Sequence, residues 1–294
     1  DVTRRLTAAS DRPAPPWPSL VVACGRLSVP AAIHIRRQAK GRTFVVQCQD
    51  PRVSPRHFDL VVPPEHDAMP PAENVFPLLG SPNLALPWRL ADARAQWHPV
   101  LAHLPRPLLA VAIGGSNRAY TMTGDALTAL FANLATIRNA TGAGFAITAS
   151  RRTGVHAEAI IRRETQRLGG WLWDGSGPSP ILGLYALADA VVVTADSVNM
   201  AAEAAAAGKP VLIAPLEGGS AKFTRFHESL RQRGIARPLT DRFAPWSCAA
   251  LEETRRAAEA IRTQMEARGL PVPPPRDWSR NAPDVATQPA THRD

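Results

Sequence analysis

Cysteine, lysine and long apolar runs are scarce in this chain of 294 residues. Its three cysteines, Cys24, Cys48 and Cys248, are odd in number and far apart, which excludes a disulfide framework and a cysteine-based zinc site. Cys24 and Cys48 lie in apolar, strand-like runs and are predicted to be core residues. No apolar run reaches the ~18 residues of a membrane-spanning helix. The sequence also shows no cationic segment followed by an apolar core, which is the pattern of a secretory signal peptide.

Arginine dominates the basic residues, since only three of the 34 are lysines and the net charge is +9. A guanidinium group suits phosphate because its planar fork donates two parallel hydrogen bonds. A coding bias toward arginine, alanine and proline would give the same excess. Aromatic residues make up 6% and no basic run is interleaved with them, which argues against nucleic-acid binding. The charge therefore indicates an anionic ligand or surface without identifying it.

Short apolar strands alternate with helices along most of the chain. Strands are predicted at residues 20–24, 43–48, 59–63, 108–113, 144–148, 190–194 and 211–214. Helices are predicted at residues 28–39, 123–139, 154–168, 197–207, 222–232 and 248–267. Strands rich in β-branched residues that alternate with helices predict parallel sheets covered on both faces, and hence an α/β fold.

The composition divides the chain into two doubly wound, Rossmann-like domains and a tail. Residues 64–107 are rich in proline and asparagine and weakly periodic, so we expect loops there, with a linker near Leu104–Pro107. The predicted domains are residues 1–105 and 106–270. Residues 271–294 carry proline clusters without an apolar period, which predicts a disordered tail.

The stretch 189–214 carries the strongest chemical signal. Its polar turn, from Thr194 through Asp196 and Ser197, places a helix start at the carboxyl end of a strand, where backbone N–H groups favour phosphate. Glu203, six residues past Ser197 in an alanine-rich helix, can accept two hydrogen bonds from a ribose diol. The structural alternative makes Asp196 the helix N-cap and Glu203 a solvated residue.

Two further polar segments follow strands of the same predicted sheet. They are Gly114, Gly115 and Ser116 after the strand at 108–113, and Ser150, Arg151 and Arg152 after the strand at 144–148. The glycines allow close backbone approach, and the hydroxyl with paired arginines resembles a diphosphate clamp. Each segment also fits an ordinary turn or a solvated helix start. Because these strand ends share one edge of the sheet, all three segments would converge on one crevice.

The first sheet carries polar groups at its own carboxyl edge. Gly25 and Arg26 follow the first strand, Gln49 and Asp50 follow the second, and Glu65, His66 and Asp67 follow the third. The last three include the groups that a general base requires. A structural Asx-turn at Asp67 is the alternative. A metal site is not expected, because adjacent residues cannot all face one ion without a tight loop.

Several of these segments resemble the mitochondrial-fission ELM family. They are QCQDPR at 47–52, FDLVVPPEHD at 58–67, NVFPLLG at 74–80, GGSN at 114–117, SRRT at 150–153 and ADAVVVTADSVNMAAEAAAAGKPV at 188–211. The match spans roughly residues 19–240. That family in turn resembles the GT-B superfamily of nucleotide-sugar glycosyltransferases, in which two Rossmann-like domains face each other across a cleft.

The resemblance implies a glycosyltransferase that uses a nucleotide-diphosphate sugar as donor and needs neither cofactor nor metal. Glu203 would hold the donor ribose, and Ser197 and Val198 would offer N–H groups to the diphosphate. Gly115 and Ser116 would line the same site. The acceptor would be lipid-linked or an envelope glycan. The expected location is the cytoplasm, and a peripheral position at the inner face of the membrane stays open.

Two departures from the family and two alternative functions accompany this prediction. Family members begin with a strand and a glycine-containing loop that precede the start of this chain, so we expect the first domain to be incomplete at its N-terminus. GSGPSP at 175–180 replaces a Gly-x-Asn-Pro-Tyr phrase, so base stacking by this loop is not expected. The alternatives are a nucleotide-sugar 2-epimerase-like enzyme and a non-catalytic adaptor that binds a membrane or protein partners.

Overall fold

The computed structural model describes residues 13–272 and residue 274, and within them two parallel β-sheets form the framework. In this described part, the first sheet contains β1 (Leu20–Cys24), β2 (Phe44–Cys48) and β3 (Leu60–Val62), side by side in that order. Helix α1 (Val29–Ala39) joins β1 to β2, with a proline tolerated in its first turn. The predicted strands and helix of this region are confirmed.

The second sheet has the strand order of a Rossmann fold. Its parallel strands are β4 (Leu108–Ile113), β6 (Gly144–Ala149), β7 (Trp171–Leu172), β8 (Ala190–Thr194), β9 (Val211–Ala214) and β11 (Ala236–Pro238). They lie in the order β11-β9-β8-β4-β6-β7. Two short strands, β5 (Tyr120–Thr121) and β10 (Glu217–Gly218), pair separately and antiparallel. The chain reverses its winding direction between β4 and β8, which is where doubly wound sheets open their ligand crevice.

Helices cover both faces of the second sheet. They are α2 (Pro87–Leu101), α3 (Gly124–Thr141), α4 (Val155–Arg167), α5 (Ile181–Leu187), α6 (Val198–Ala206) and α7 (Ala221–Gln232). A further helix, α8 (Glu253–Ala267), comes last among the described helices and packs on the first sheet. Leu127 and Phe131 of α3 pack on one face, whereas Tyr185 of α5 and Ala201 of α6 pack on the other. Every residue of β4 and β8 is therefore buried, as expected for central parallel strands.

Helix α2 contradicts the prediction that residues 64–107 form only loops and a linker. Its inward apolar residues, Leu90, Trp97 and Leu101, are seven and four positions apart, and most other positions of the helix are solvent-exposed. This sparse pattern is too weak to indicate a helix from sequence. The helix predicted at 248–267 begins later than expected, at Glu253.

Two helices pack across the predicted boundary at residues 105 and 106. Helix α2 precedes the boundary but packs against α5 of the second sheet. Helix α8 follows the boundary but packs on the first sheet, where Met265 joins the core around Phe44. Buried Glu253 of α8 accepts a 2.6 Å hydrogen bond from the Leu79 backbone. The boundary therefore separates the strands of the two sheets but not their covering helices.

The outer face of β1 is uncovered in the described structure. Val22 is 55% exposed and Cys24 is also exposed, so the prediction that Cys24 is a core residue was wrong. The reason is that α8 covers this face of the sheet over β2 and β3 but does not extend over β1. The predicted disordered tail, 271–294, lies almost entirely outside the described residues. Among the described helices, none combines the length and apolar character needed to cross a bilayer.

Candidate functional site at the switch between β4 and β8

The buried carboxylate of Asp196 joins three strand-end turns. Gly115, after β4, donates its N–H to Asp196 Oδ2 at 3.0 Å, and the Thr194 hydroxyl at the end of β8 donates to Oδ1 at 2.7 Å. Arg152, after β6, donates to Oδ2 at 3.2 Å. The Asp196 side chain has no exposed surface. The three polar segments predicted to converge therefore do meet, and Asp196 connects them.

Gly114 and Gly115 are required by the close approach of these turns. A Cβ atom on Gly114 would lie 2.2 Å from Asp196 Oδ2, and one on Gly115 would lie 2.3 Å from the Arg152 carbonyl oxygen. The Gly114 N–H donates to Thr194 Oγ1 at 2.8 Å. The glycines therefore admit neighbouring protein atoms, a role that sequence could not distinguish from close approach to a ligand.

Helix α6 directs its N-terminus at a cleft. Ser197 is its N-cap, because Ser197 Oγ accepts the Met200 N–H at 3.4 Å, so the alternative that made Asp196 the cap was wrong. The N–H groups of Val198 and Asn199 have no acceptor within the helix, as in the first turn of any α-helix. Both residues line the cleft. The helix therefore presents hydrogen-bond donors and the positive end of its dipole to this space.

The cleft has a volume of about 280 Å³ and lies between the carboxyl edges of the two sheets. The first-sheet side is lined by Arg26, Gln49, Asp50, Arg52, Pro64, His66, Asp67 and Ser81. The second-sheet side is lined by Arg152, Asp196, Ser197, Val198, Asn199, Lys222 and Phe223. Within residues 13–272 and 274, no group of three or more histidine, cysteine or acidic side chains is arranged to hold a metal ion. Most of the side chains that line the cleft are polar, and they include both basic and acidic groups.

Three of the four cations that line the cleft already have acidic partners. Arg52 pairs with Asp50 at 3.0 Å, Lys222 pairs with Asp67 at 2.5 Å, and Arg152 pairs with Asp196 at 3.2 Å. The fourth, Arg26, is exposed and makes no ion pair with any residue that the structure describes. Arg26 is therefore available to an anionic ligand.

Glu65, His66 and Asp67 form a 3-10 turn that contacts α7. Asp67 lines the cleft and binds Lys222 of that helix. Glu65 does not line the cleft, and its carboxylate lies 3.4 Å from Arg233. The structure thus brings two of the three predicted catalytic residues into the cleft and directs the third toward the end of α7.

His66 is buried in this turn, at 4% exposure, with its ring edge-on to Phe226 at a centroid distance of 5.2 Å. Its Nδ1 has no hydrogen-bond partner among the described residues. Burial lowers the pKa of His66 to about 4, and the positive charges of Lys222 and Arg225 act in the same direction. The imidazole is therefore neutral at pH 7 and a weak base.

We expect His66 to make the protein sensitive to mild acid. Its pKa is lowered from 6.5 to about 4 in the folded state, so the unfolded chain binds the proton first as the pH falls between these values. Stability is fully present above pH 6.5 and decreases toward pH 4, by at most about 3 kcal/mol from this residue. Urea unfolding of wild type and His66→Leu across this window should show a flatter pH profile for the variant.

The control for this experiment is His156→Gln, which changes an exposed histidine. Its pH profile should follow wild type. If the stability of His66→Leu fell with pH as steeply as that of wild type, the acid sensitivity would not come from His66.

Other predicted donor-site residues lie outside the cleft. Ser116 Oγ accepts the Met122 N–H at 2.9 Å and stabilises its own loop. Ser150 Oγ donates to the Gly114 carbonyl at 3.0 Å. Ser150 and Arg151 line a neighbouring cavity of about 310 Å³ together with Trp173. The paired arginines therefore face different spaces, and only Arg152 of the two lines the cleft.

Glu203 and Gly25 also do not line the cleft. Burial raises the pKa of Glu203, which lies near the buried ring of Tyr185. Its carboxylate makes no hydrogen bond or ion pair with another described residue. Gly25 accepts a 3.2 Å hydrogen bond from Gln47 and starts the turn that carries Arg26. A ligand role for Glu203 stays a prediction.

Cleft residues that the sequence did not identify include Pro64, Ser81, Asn199, Lys222 and Phe223. Asn199 could have been found, because it directly follows Val198 in the first turn of the predicted helix. Lys222 and Phe223 start α7, whose position depends on packing. Ser81 lies in the segment without periodicity and gave no signal.

Sequence comparison with known proteins finds one family model and two related proteins. A family model described as "Mitochondrial fission ELM1" matches residues 1–265. The Arabidopsis thaliana mitochondrial fission protein ELM1 is 34% identical over 289 residues, covering 86% of this chain but 65% of that protein. An uncharacterized Rickettsia prowazekii protein is 26% identical over 286 residues, covering 83% of this chain and 79% of that one.

A solved structure shares the architecture. The UDP-GlcNAc 2-epimerase from Methanocaldococcus jannaschii superposes with a TM-score of 0.53 at 10% identity, covering 84% of this chain and 77% of that one. At this identity the match shows the GT-B-like fold alone. The family-model match and the Arabidopsis thaliana relative establish that the chain belongs to the mitochondrial fission ELM1 family.

Proposed function

We propose that this protein is a GT-B-like glycosyltransferase that binds a nucleotide-diphosphate sugar at the second sheet and transfers the sugar to an acceptor held by the first. The observation that carries the proposal is the N-terminus of α6, which opens onto the cleft beside the switch between β4 and β8. Doubly wound sheets bind ligands at such a point, and a helix N-terminus there favours phosphate.

The diphosphate would lie against the Val198 and Asn199 amides and Arg152. The Arg152 side chain is 50% exposed, so it can donate to phosphate without leaving a buried site. Asp196 would keep its hydrogen bonds from Gly115 and Thr194 and hold the turns in place. These donors would stabilise the negative charge that grows on the diphosphate as the glycosidic bond breaks.

The nucleoside would extend along α6 toward Glu203. Six residues separate Ser197 from Glu203, which corresponds to about 9 Å along the helix axis. The raised pKa of this carboxylate reflects burial, and it has no hydrogen-bond partner among the described residues. A ribose diol that donates two hydrogen bonds would compensate the cost of holding the carboxylate there.

Asp67 is the residue proposed as the acceptor's general base. It lines the cleft, whereas Glu65 points toward Arg233, and a pKa of about 4 makes His66 a weak proton acceptor. Arg26, on the same side of the cleft, would bind an anionic group of the acceptor. A lipid-linked acceptor or an envelope glycan that carries phosphate fits this arrangement.

One observation favours the non-catalytic adaptor as a second candidate. Most charges in the cleft pair with one another, as in Arg152 with Asp196, Lys222 with Asp67 and Arg52 with Asp50. Because these charged side chains already neutralise one another, the cleft does not require a charged ligand to compensate them. A 2-epimerase would need acid and base groups on both faces of the sugar.

Isothermal titration with UDP, GDP and CDP tests the donor site. One of them should bind saturably, and Arg152→Gln should raise its Kd about tenfold through loss of a charge-assisted hydrogen bond. Arg151→Gln should have a smaller effect, because Arg151 faces the neighbouring cavity. Arg242→Gln, at an exposed arginine away from the cleft, is the control. Glu203→Ala should also weaken binding.

Two results would separate the candidate functions. The donor-site proposal fails if no nucleoside diphosphate binds and Glu203→Ala changes nothing. Product analysis with sugar nucleotides then distinguishes the two enzymatic functions. Release of a nucleoside diphosphate when an acceptor is present supports glycosyl transfer, and formation of a sugar epimerised at C2 supports the epimerase. Absence of turnover, with partner binding that survives substitution of Glu203 and Arg152, supports the adaptor.

A further inference from the structure

A second cavity, of about 380 Å³, follows the carboxyl ends of three adjacent strands of the second sheet. Ala195 lies just past β8, Leu216 past β9 and Leu239 past β11, and all three line this cavity. Helix α7 contributes His227 to its wall. The cavity thus extends from the centre of the sheet to its edge strand.

An aromatic pair separates this cavity from the cleft. Tyr120 lines the cavity and Phe223 lines the cleft, and their rings meet edge to face at a centroid distance of 5.0 Å. Ala195 in the cavity directly precedes Asp196 in the cleft. The two spaces are therefore neighbours with a shared wall, and none of their lining residues is the same.

The lining of the second cavity is largely apolar. Its apolar residues include Ile213, Pro215, Leu216, Pro238 and Leu239. Burial lowers the pKa of His227, which keeps its imidazole neutral at pH 7. This lining suits hydrocarbon and differs from the charged lining of the cleft.

One cation on this lining has no acidic partner. Arg231 is bound to Glu228 by two hydrogen bonds of 2.8 Å. Arg237, on the edge strand β11, stacks its guanidinium on the Trp246 ring at 4.2 Å and makes no ion pair with a described residue. Stacking orients the guanidinium plane and leaves its N–H edge free for an anion.

We propose that this cavity binds an amphipathic anion, a single alkyl or prenyl chain that ends in a phosphate. The chain lies along the strand ends between Ala195 and Leu239, and the phosphate binds Arg237 at the edge of the sheet. Apolar burial supplies affinity and the fixed guanidinium sets the orientation of the chain. The inference does not rest on the proposed glycosyl transfer, because it uses none of the residues that line the cleft.

Titration calorimetry with octyl phosphate, below its micellar concentration, tests the proposal. Octyl phosphate should bind saturably and at least tenfold more tightly than inorganic phosphate or octyl glucoside. Inorganic phosphate has the anionic group without the alkyl chain, and octyl glucoside has the alkyl chain without the anionic group. Arg237→Gln should weaken binding at least fivefold, and Leu216→Trp, which fills the cavity, should weaken it further. Arg37→Gln, at an exposed arginine on α1, should bind like wild type.

Three outcomes would overturn the proposal. Octyl phosphate could bind no more tightly than phosphate, Arg237→Gln could leave its Kd unchanged, or UDP could displace it competitively, which would locate it in the cleft. Thermal unfolding checks that Leu216→Trp is folded, and the exposed Arg237 provides a variant that is independent of core packing. Binding of octyl phosphate without any binding of a nucleoside diphosphate would reject the proposed function and retain this site.

Discussion

Asp196→Ala should lower the free energy of unfolding by about 3 kcal/mol, because the substitution leaves two buried donors without an acceptor. The Gly115 N–H and the Thr194 hydroxyl both donate to this carboxylate, whose side chain has no exposed surface. The third donor, Arg152, is half exposed and can return to water, so its loss adds little. Urea unfolding followed by circular dichroism measures the change.

Two companion variants make the Asp196 experiment specific. Asp196→Asn keeps the size and one acceptor oxygen, so its loss should fall between wild type and the alanine variant. Asp92→Ala removes an exposed carboxylate on α2 and should change stability by less than about 0.5 kcal/mol. Equal stabilities of the Asp196→Ala and Asp92→Ala proteins would show that the junction does not depend on this carboxylate.

Asp59→Ala should have the other large effect, a loss of about 2 to 4 kcal/mol. Buried Asp59 accepts a 2.7 Å hydrogen bond from the Val45 N–H on β2 and hydrogen bonds from Arg36 and Arg268. Arg268 directly follows α8, so this carboxylate attaches that helix to the first sheet. Urea unfolding should show the loss, and limited proteolysis should cut α8 of the variant faster.

The pH dependence gives a second test of Asp59. Burial acts to raise the pKa of Asp59, but the hydrogen bonds from Arg36, Arg268 and Val45 together hold it below its usual value. Its contribution to stability is therefore present above the usual carboxyl pKa and is lost as the pH falls through the lower folded-state value. The gap between wild type and Asp59→Ala should narrow in acid. The exposed control, Asp241→Ala, should keep the wild-type profile.

Local sequence patterns predicted most strands and the helices that have a clear apolar period. β4, β6, β8 and β9 are short, apolar and bounded by polar turns, and all were found from these properties. The two-residue strand β7 and the seven-residue helix α5 are too short for a period to develop. Helix α2 was missed because it touches the core at few positions.

The candidate site was predicted in location but not in the role of each residue. Sequence order places polar segments after strands, and parallel strands end at one edge, so convergence follows from topology alone. Which atoms then meet depends on packing. Arg151 and Arg152 are adjacent in sequence, yet they line different cavities because neighbouring side chains on a turn point in different directions.

The amino-acid pattern was thus sufficient for the α/β class, the family resemblance and the edge of the sheet where the site lies, because these depend on local periodicity and chain order. The partners of individual polar groups required the folded chain. Asp196 was predicted as a donor-site residue; it lines the cleft and also holds three turns together, and Asp67 lines the cleft whereas Glu65 does not. Such outcomes depend on contacts between residues far apart in sequence, as between the turn at Glu65 and helix α7, which no local pattern encodes.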